Sequence, residues 1–151
     1  MPIASLAEIR ARVGEEIGVS DWIIIDQARI DSFADTTEDR QFIHVDRDAA
    51  ARTPFGGTIA HGFLTLSLLS RMAADAMLIP DGLTMAVNYG LDRVRFLAPV
   101  NSGKRVRGRF VLDSVEEKGP GQVLLRHTIT VEIEGENKPA LTAAWLGLMF
   151  T

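Results

Sequence analysis

The spacing of apolar positions changes character once along the chain. Up to Gly82 the apolar residues fall mostly at helical intervals, and after it they alternate with polar ones. Ser5 to Val13 read as a short helix: Ser5 can cap it, Glu8 stands three residues on and Gly14 ends it. WIIID (Trp22 to Asp26) is a compact β-prone run, and QARIDSFADTTED places Ile30, Phe33 and Ala34 at helical spacing. TTEDRQFIHVD follows, and then RDAAARTPFGGT, a small-residue loop whose Pro54, Gly56 and Gly57 cannot continue a helix. In IAHGFLTLSLLSRMAADAMLIPDG the first four turns carry Phe63, Leu64, Leu66, Leu68, Leu69 and Met72 around the whole circumference. A helix apolar on every side is a buried one. It stops at Pro80, with Gly82 close behind.

Four strand-like segments complete the chain: LTMAVNYGLDRVRFLAPV, KRVRGRFVLDSVEEK, QVLLRHTITVEIEG and KPALTAAWLGLMF. Gly119-Pro120-Gly121 and Gly135 to Asn137 supply hairpin turns. One antiparallel sheet wrapped around one long buried central helix satisfies both burial patterns. That is an α+β chain with a single hot-dog fold, expected to form one domain over residues 1–151. Such a sheet keeps an open edge, and dimerisation that extends it is the usual remedy.

Composition narrows the chemistry. The 151 residues are 46% apolar and 24% charged, which is globular rather than disordered, and suffice to bury roughly two-thirds of the unfolded surface. A net charge of -4 supplies no overall basic field for nucleic acid. Without cysteine there is no thiolate nucleophile, disulfide or cysteine-ligated metal. Glu8, Arg10 and Arg12 interrupt the N-terminal apolar positions, unlike a signal peptide. His61, Arg71 and Asp75 break the longest apolar region, so a membrane span is not expected either. A soluble, cytoplasmic protein is the expectation.

Three groups of residues could carry chemistry. Asp39 and His44, five apart, would share a face of neither a helix nor a straight strand, so only a loop lets them converge. Converged, a carboxylate and an imidazole can share one water, one orienting or deprotonating it while the other handles the second proton. The plain alternative makes Asp39 one of a run of turn acids and His44 a half-buried strand residue. PFGGTIAHGF puts His61-Gly62 at the start of the central helix, where free N–H groups suit an oxyanion and glycine admits a ligand to bare backbone. Its plain alternative is a tight loop-to-helix entry with His61 a capping or core histidine. Arg93 and Arg95, then Arg105, Arg107 and Arg109, alternate onto single faces of two strands; they suit carrier phosphates, and more often form a solvated outer face. His127, in LLRHTITV, alternates with apolar neighbours and reads as structural.

FADTTEDRQFIHVD followed by FGGTIAHGFLTLSLL resembles the MaoC-like dehydratase family of (R)-specific enoyl-CoA hydratases, and the likeness extends from about Trp22 onward. The usual form is Ser/Thr-Gly-Asp-x-Asn-Pro-Ile/Leu-His, then Ile-x-His-Gly. This chain departs at Glu38 (usually Gly), Gln41 (usually Asn) and Phe42 (usually Pro). The last two, with VNYGLDRVRFLAPV, resemble the nodulation protein N branch. The resemblance implies that Asp39 and His44 are the catalytic pair and that Gly62 offers its N–H to the thioester carbonyl. It implies that Ser70, Gln41 and Asn88 are substrate-binding positions, Gln41 replacing the family asparagine. It also implies a homodimer acting on acyl-CoA, with no metal, no other cofactor, no nucleic acid and no membrane. The rival readings are a hot-dog acyl-CoA thioesterase, disfavoured by the paired Asp-x4-His and His-Gly, and a non-catalytic acyl-binding protein, which needs no such pair.

Overall fold

The computed structural model describes residues 2–151. The elements run β1 (Ile3–Ala4), α1 (Leu6–Ala11), β2 (Glu16–Val19), β3 (Ile23–Ile25), α2 (Gln27–Thr37), α3 (Phe42–Val45), α4 (Arg47–Ala51), α5 (Gly62–Ser67), α6 (Leu69–Ala76), β4 (Ile79–Pro80), β5 (Met85–Phe96), β6 (Lys104–Gly119), β7 (Gln122–Ile133) and β8 (Leu141–Phe150). The main sheet has the order β2-β6-β7-β8-β5, with β3 also paired to β6. Its long strands are all antiparallel. A short parallel pair, β1 with β4, ties the N-terminus to the end of the helical segment. No helix among the described residues is long and apolar enough to cross a membrane.

Local signals account for most boundaries. Ser5 accepts the Glu8 N–H while the Glu8 side chain reaches back to the Ser5 N–H, a complete capping box that starts α1. Asp26 caps α2 through the Arg29 N–H. The rod α5–α6 lies on the concave face of the sheet. There Leu64, Leu69, Met72 and Ala76 pack in one core with Phe110, Leu112, Leu125, Ile129 and Leu141. This is the hot-dog arrangement, one helical rod held in an antiparallel sheet.

Four expectations are corrected. The central helix breaks at Leu68 into α5 and α6, and it is buried on one side only. Phe63 is 68% exposed and Ser67, Ser70 and Arg71 are also exposed, because the rod's outer flank has only the edge strand β5 beside it. His44 stands in a helical turn rather than a strand, since α3 forms directly after the bend at Asp39–Gln41. Arg47–Ala51 is helical instead of loop, because Asp46 caps it through the Ala49 N–H. Arg93 and Arg95 do not share a face by alternation. The β5–β8 register shifts between Asp92 and Arg95, and Arg93 has φ 51°.

Arg105, Arg107 and Arg109 do form an outer row, as alternation requires, but acidic partners hold them. Arg105 pairs with Glu134, Arg107 with Glu132 at 2.7 Å, and Arg109 with Glu16 at 2.8 Å. Arg107 also stacks on Trp22, 4.4 Å from the ring centre. The row is a ladder of surface ion pairs.

Gly18 sets how closely β2 approaches the rod: a Cβ there would lie 2.3 Å from the Ala76 carbonyl oxygen. The neighbour is backbone and cannot rotate away. Gly18→Ala is therefore expected to cost about 2–3 kcal/mol by overpacking, measured as a lower midpoint in urea unfolding. An unchanged midpoint would show that β2 can move off α6 freely.

Candidate active site

The acidic half of the site is built by the way α2 ends. Glu38, the residue after its last turn, adopts the left-handed conformation, φ 61° and ψ 14°. That conformation is where helices ordinarily place glycine. The related motif has glycine at this position, so Glu38 keeps the same helix exit at the cost of a residue less suited to it. The chain then bends through Asp39-Arg40-Gln41 and takes one helical turn, in which the His44 N–H donates to the Gln41 carbonyl at 3.0 Å. The turn swings His44 inward while Asp39 stays exposed. This geometry answers the awkward five-residue offset: a bend plus one turn does what neither a helix nor a strand could.

Backbone hydrogen bonds then join this segment to the loop before α5. The Ile59 N–H donates to the Ile43 carbonyl at 3.0 Å, and Nδ1 of His44 lies 2.7 Å from the Ile59 carbonyl oxygen. A carbonyl can only accept, so Nδ1 carries the proton and neutral His44 presents the lone pair of Nε2. Gln27 on α2 braces the same junction: its Nε2 donates to the His44 carbonyl at 2.8 Å and its Oε1 accepts from the Thr58 hydroxyl. His61 supplies the last tie. Its Nε2 donates to the Asp39 carbonyl at 2.9 Å, and its ring stacks on His44 with centroids 3.8 Å apart. Phe33 packs on it at 5.0 Å.

A carboxylate oxygen of Asp39 and ring nitrogens of His44 and His61 all lie within 4.8 Å of one another. That spacing lets one water bridge Asp39 and His44. Burial pushes the His44 imidazole below its ordinary pKa and His61 adds to the effect, against the Ile59 carbonyl and Asp39, which favour the proton. His44 is thus neutral and a hydrogen-bond acceptor at Nε2 around pH 7. A divalent ion at these residues would need Nδ1 of His61, because Nε2 is taken, and that Nδ1 is buried without a partner.

His61 is neither cap nor plain core. It stands at the N-cap of α5 without a capping hydrogen bond from its side chain, and instead fastens the Asp39 loop. Gly62, directly after it, is half-buried under Phe96, and a Cβ there would meet the Phe96 ring at 2.9 Å. The Gly62 N–H makes no hydrogen bond to an acceptor among the described residues and borders a pocket of about 250 Å³ with Thr65, Phe96 and Pro99. Asp39, His44 and Gly62 therefore belong to one junction. Gln41 contributes by backbone: its carbonyl holds His44, and its N–H points to Asp39 Oδ1 at 3.4 Å. Ser70 and Asn88 lie elsewhere, lining a second cavity further along the rod, where Asn88 Oδ1 accepts from Trp145 Nε1 at 2.7 Å. Sequence reasoning missed Gln27 as a brace. Its one signal was a polar residue in the first turn of a helix aimed at the motif.

Residues 8–135 match the model of the MaoC like domain. The chain is 56% identical over 146 residues to nodulation protein N of Rhizobium leguminosarum bv. viciae, covering 96% of this chain and 91% of that one. It is 50% identical to 3-hydroxyacyl-thioester dehydratase Z of Mycobacterium tuberculosis, over 92% of this chain and 91% of the relative. Among solved structures, the (R)-hydratase from A. caviae involved in PHA biosynthesis superposes with a TM-score of 0.72 at 25% identity, over 87% of this chain and 95% of that one. With the fold, the Asp39–His44 junction and the His61-Gly62 helix entry in place, the chain is a hydro-lyase belonging to the MaoC-like dehydratase family.

Proposed function

We propose that the protein is an (R)-specific enoyl-CoA hydratase, adding water to trans-2-enoyl-CoA to give (3R)-3-hydroxyacyl-CoA or running the reverse dehydration. The observation that carries this reading is the convergence of Asp39 and His44 beside His61, whose chain neighbour Gly62 keeps an unpaired N–H at the start of α5. In the hydration direction one water lies between the Asp39 carboxylate and His44 Nε2. His44 takes a proton as the water oxygen bonds to C3, and Asp39 orients the water. Electrons from the double bond move toward the carbonyl, and the enolate oxygen that develops is stabilised by the Gly62 N–H at the start of α5. A proton passed on from the pair to C2 restores the thioester. Every atom of the added water ends on the product, so the reaction needs no redox cofactor. The thioester named for one relative and the (R)-hydratase activity named for one structural neighbour support the substrate class.

The purified protein should remove the conjugated-thioester absorbance of trans-2-enoyl-CoA without releasing free thiol. Thiol release would instead mark a thioesterase, and no change at any chain length a binding protein. Asp39→Asn and His44→Ala should each lower kcat by on the order of 10²–10⁴-fold; the exposed Asp39 should leave the melting temperature unchanged, whereas loss of the buried His44 ring and its bond to the Ile59 carbonyl should lower it while the chain still folds. Normal turnover in either variant would remove that residue from the catalytic pair.

The direction of the His44 shift fixes the acid limb of the pH profile. The base acts in its neutral form, and its folded pKa lies below the ordinary 6.5. The kcat/KM for hydration should therefore fall on the acid side with a midpoint below 6.5, through the lowered pKa. A decline centred above 6.5 would contradict His44 as the base.

A homodimer is part of this proposal. Among the described residues β5 pairs only with β8 and leaves its other edge open, with Met85, Val87 and Tyr89 exposed along it. A long unpaired edge carrying large apolar residues is covered most simply by a second copy of the same strand. Light scattering should give twice the chain mass, and Val87→Lys together with Tyr89→Lys should shift it to the monomer. A monomeric wild type would reject this interface.

A further inference from the structure

The second cavity, about 240 Å³, lies between α6 and strands β5, β7 and β8. Its mouth is formed by Ser70, Val87 and Asn88, Val87 lying on the β5 edge proposed for the dimer, and its inner wall by the buried Ala73, Met77 and Trp145. One member of that wall is out of keeping with an apolar lining. His127 is 1% exposed and its Nε2 has no hydrogen-bond partner. Strand alternation puts it on the core face of β7 with Leu125 and Ile129, and the Phe110 ring meets it edge-on, 6.4 Å away. Nothing around it satisfies that nitrogen, and a buried polar atom without a partner costs about 1–3 kcal/mol. A leucine at this position would fill the same wall without that cost.

The cavity is also placed to receive the far part of a substrate held at Gly62. Gly62 and Ser70 are eight residues apart along the α5–α6 rod, roughly 12 Å at the helical rise. The exposed flank between them, with Phe63, Leu66, Ser67 and Ser70, forms a shallower groove beside Asn88 and Leu91. This groove shares Ser70, Asn88 and Trp145 with the cavity. A thioester carbonyl at Gly62 would therefore send a medium-length acyl chain along the rod and into the cavity.

We propose that this cavity is a subsite for acyl chains carrying an oxygen function, a hydroxyl or keto group well removed from the reacting double bond, and that His127 is the residue that hydrogen-bonds it. Burial holds the His127 imidazole neutral, with its pKa pushed down to about 4, so it has one N–H and one lone pair to offer and no charge to repel a neutral chain. A purely hydrocarbon chain fills the same space but offers the imidazole no hydrogen bond. The discrimination thus comes from the one polar ring in the deep wall, which only the oxygenated chain can engage. The assignment rests on the proposed hydratase reading for the position of the thioester.

The experiment uses two medium-chain trans-2-enoyl-CoA substrates of equal length, one plain and one with a terminal hydroxyl. The full-length protein should favour the hydroxylated chain in kcat/KM by roughly ten-fold, the value of one buried hydrogen bond. His127→Leu should abolish or reverse that ratio, and His127→Gln, which keeps a donor and an acceptor, should retain part of it. Calorimetric binding of the same two thioesters gives a readout that does not require turnover. Hydration of neither substrate would defeat the hydratase reading, while the binding ratio would still decide the subsite. A wild type that binds the plain chain equally or better would overturn the subsite. So would a ratio left unchanged by His127→Leu.

Discussion

The seating of one helical rod in the concave face of the sheet determines everything else in this molecule. Met72 and Leu69 press against the middle of the sheet around Phe110 and Leu112, and glycine at position 18 lets β2 close over the rod's far end. With the body of the rod fixed, its first residue has little freedom. The Ala60 N–H donates to the Val100 carbonyl at 2.8 Å, which holds the approach to α5 against the loop between β5 and β6. His61 and Gly62 are thereby presented at a set place. The Asp39 loop is then drawn to them by three contacts: His61 to the Asp39 carbonyl, His44 to the Ile59 carbonyl, and the Ile59 N–H to the Ile43 carbonyl. Burial makes the site possible, and directional polar contacts make it particular.

Much of this was legible in the residues because local and global signals agree. Ser5 and Glu8 announced a capping box, and alternation marked the four long strands together with the outward row from Arg105 to Arg109; Pro80 and Gly82 marked the turn into the strand half, although α6 itself stops earlier, at Ala76, and Pro80 stands in β4. Two kinds of feature escaped. Exposure of Phe63 and Ser70 could not be read from composition, because an apolar circumference says nothing about which flank the sheet leaves open. The bulge near Arg93 was hidden for a similar reason: period two assumes unbroken pairing, and a single register shift moves a side chain to the other face. In the site, the convergence of Asp39 and His44 was inferable from their spacing only as a requirement for a loop. The stacked His61 became visible only in three dimensions, since nothing in IAHGF states what its ring will touch.

Glu38 illustrates how a departure from a motif is absorbed. Its backbone torsion explains the position directly. The helix exit requires a left-handed residue, glycine supplies it most readily, and glutamate can adopt it when the flanking structure is well anchored. That anchoring exists here: α2 is capped by Asp26 at its start and braced through Gln27 to both His44 and Thr58. The substitution alters the comfort of the turn rather than its course.

The same logic applies to the two orphaned nitrogens of the core, Nδ1 of His61 and Nε2 of His127. Packing alone would not retain either imidazole, since an apolar side chain of similar size would avoid the cost of an unpaired polar atom. His61 repays part of that cost through its other nitrogen, which fastens the Asp39 loop, and its ring stacks on His44. His127 repays nothing within the chain. The two exceptions stand at opposite ends of the α5–α6 rod, one at the chemistry and one at the wall of the cavity the rod leads to. Departures from an otherwise consistent core gather where function overrides packing. On that ground the flank between them, left open by the sheet and lined by Phe63, Leu66 and Ser70, is where the proposed hydratase reading runs the acyl chain.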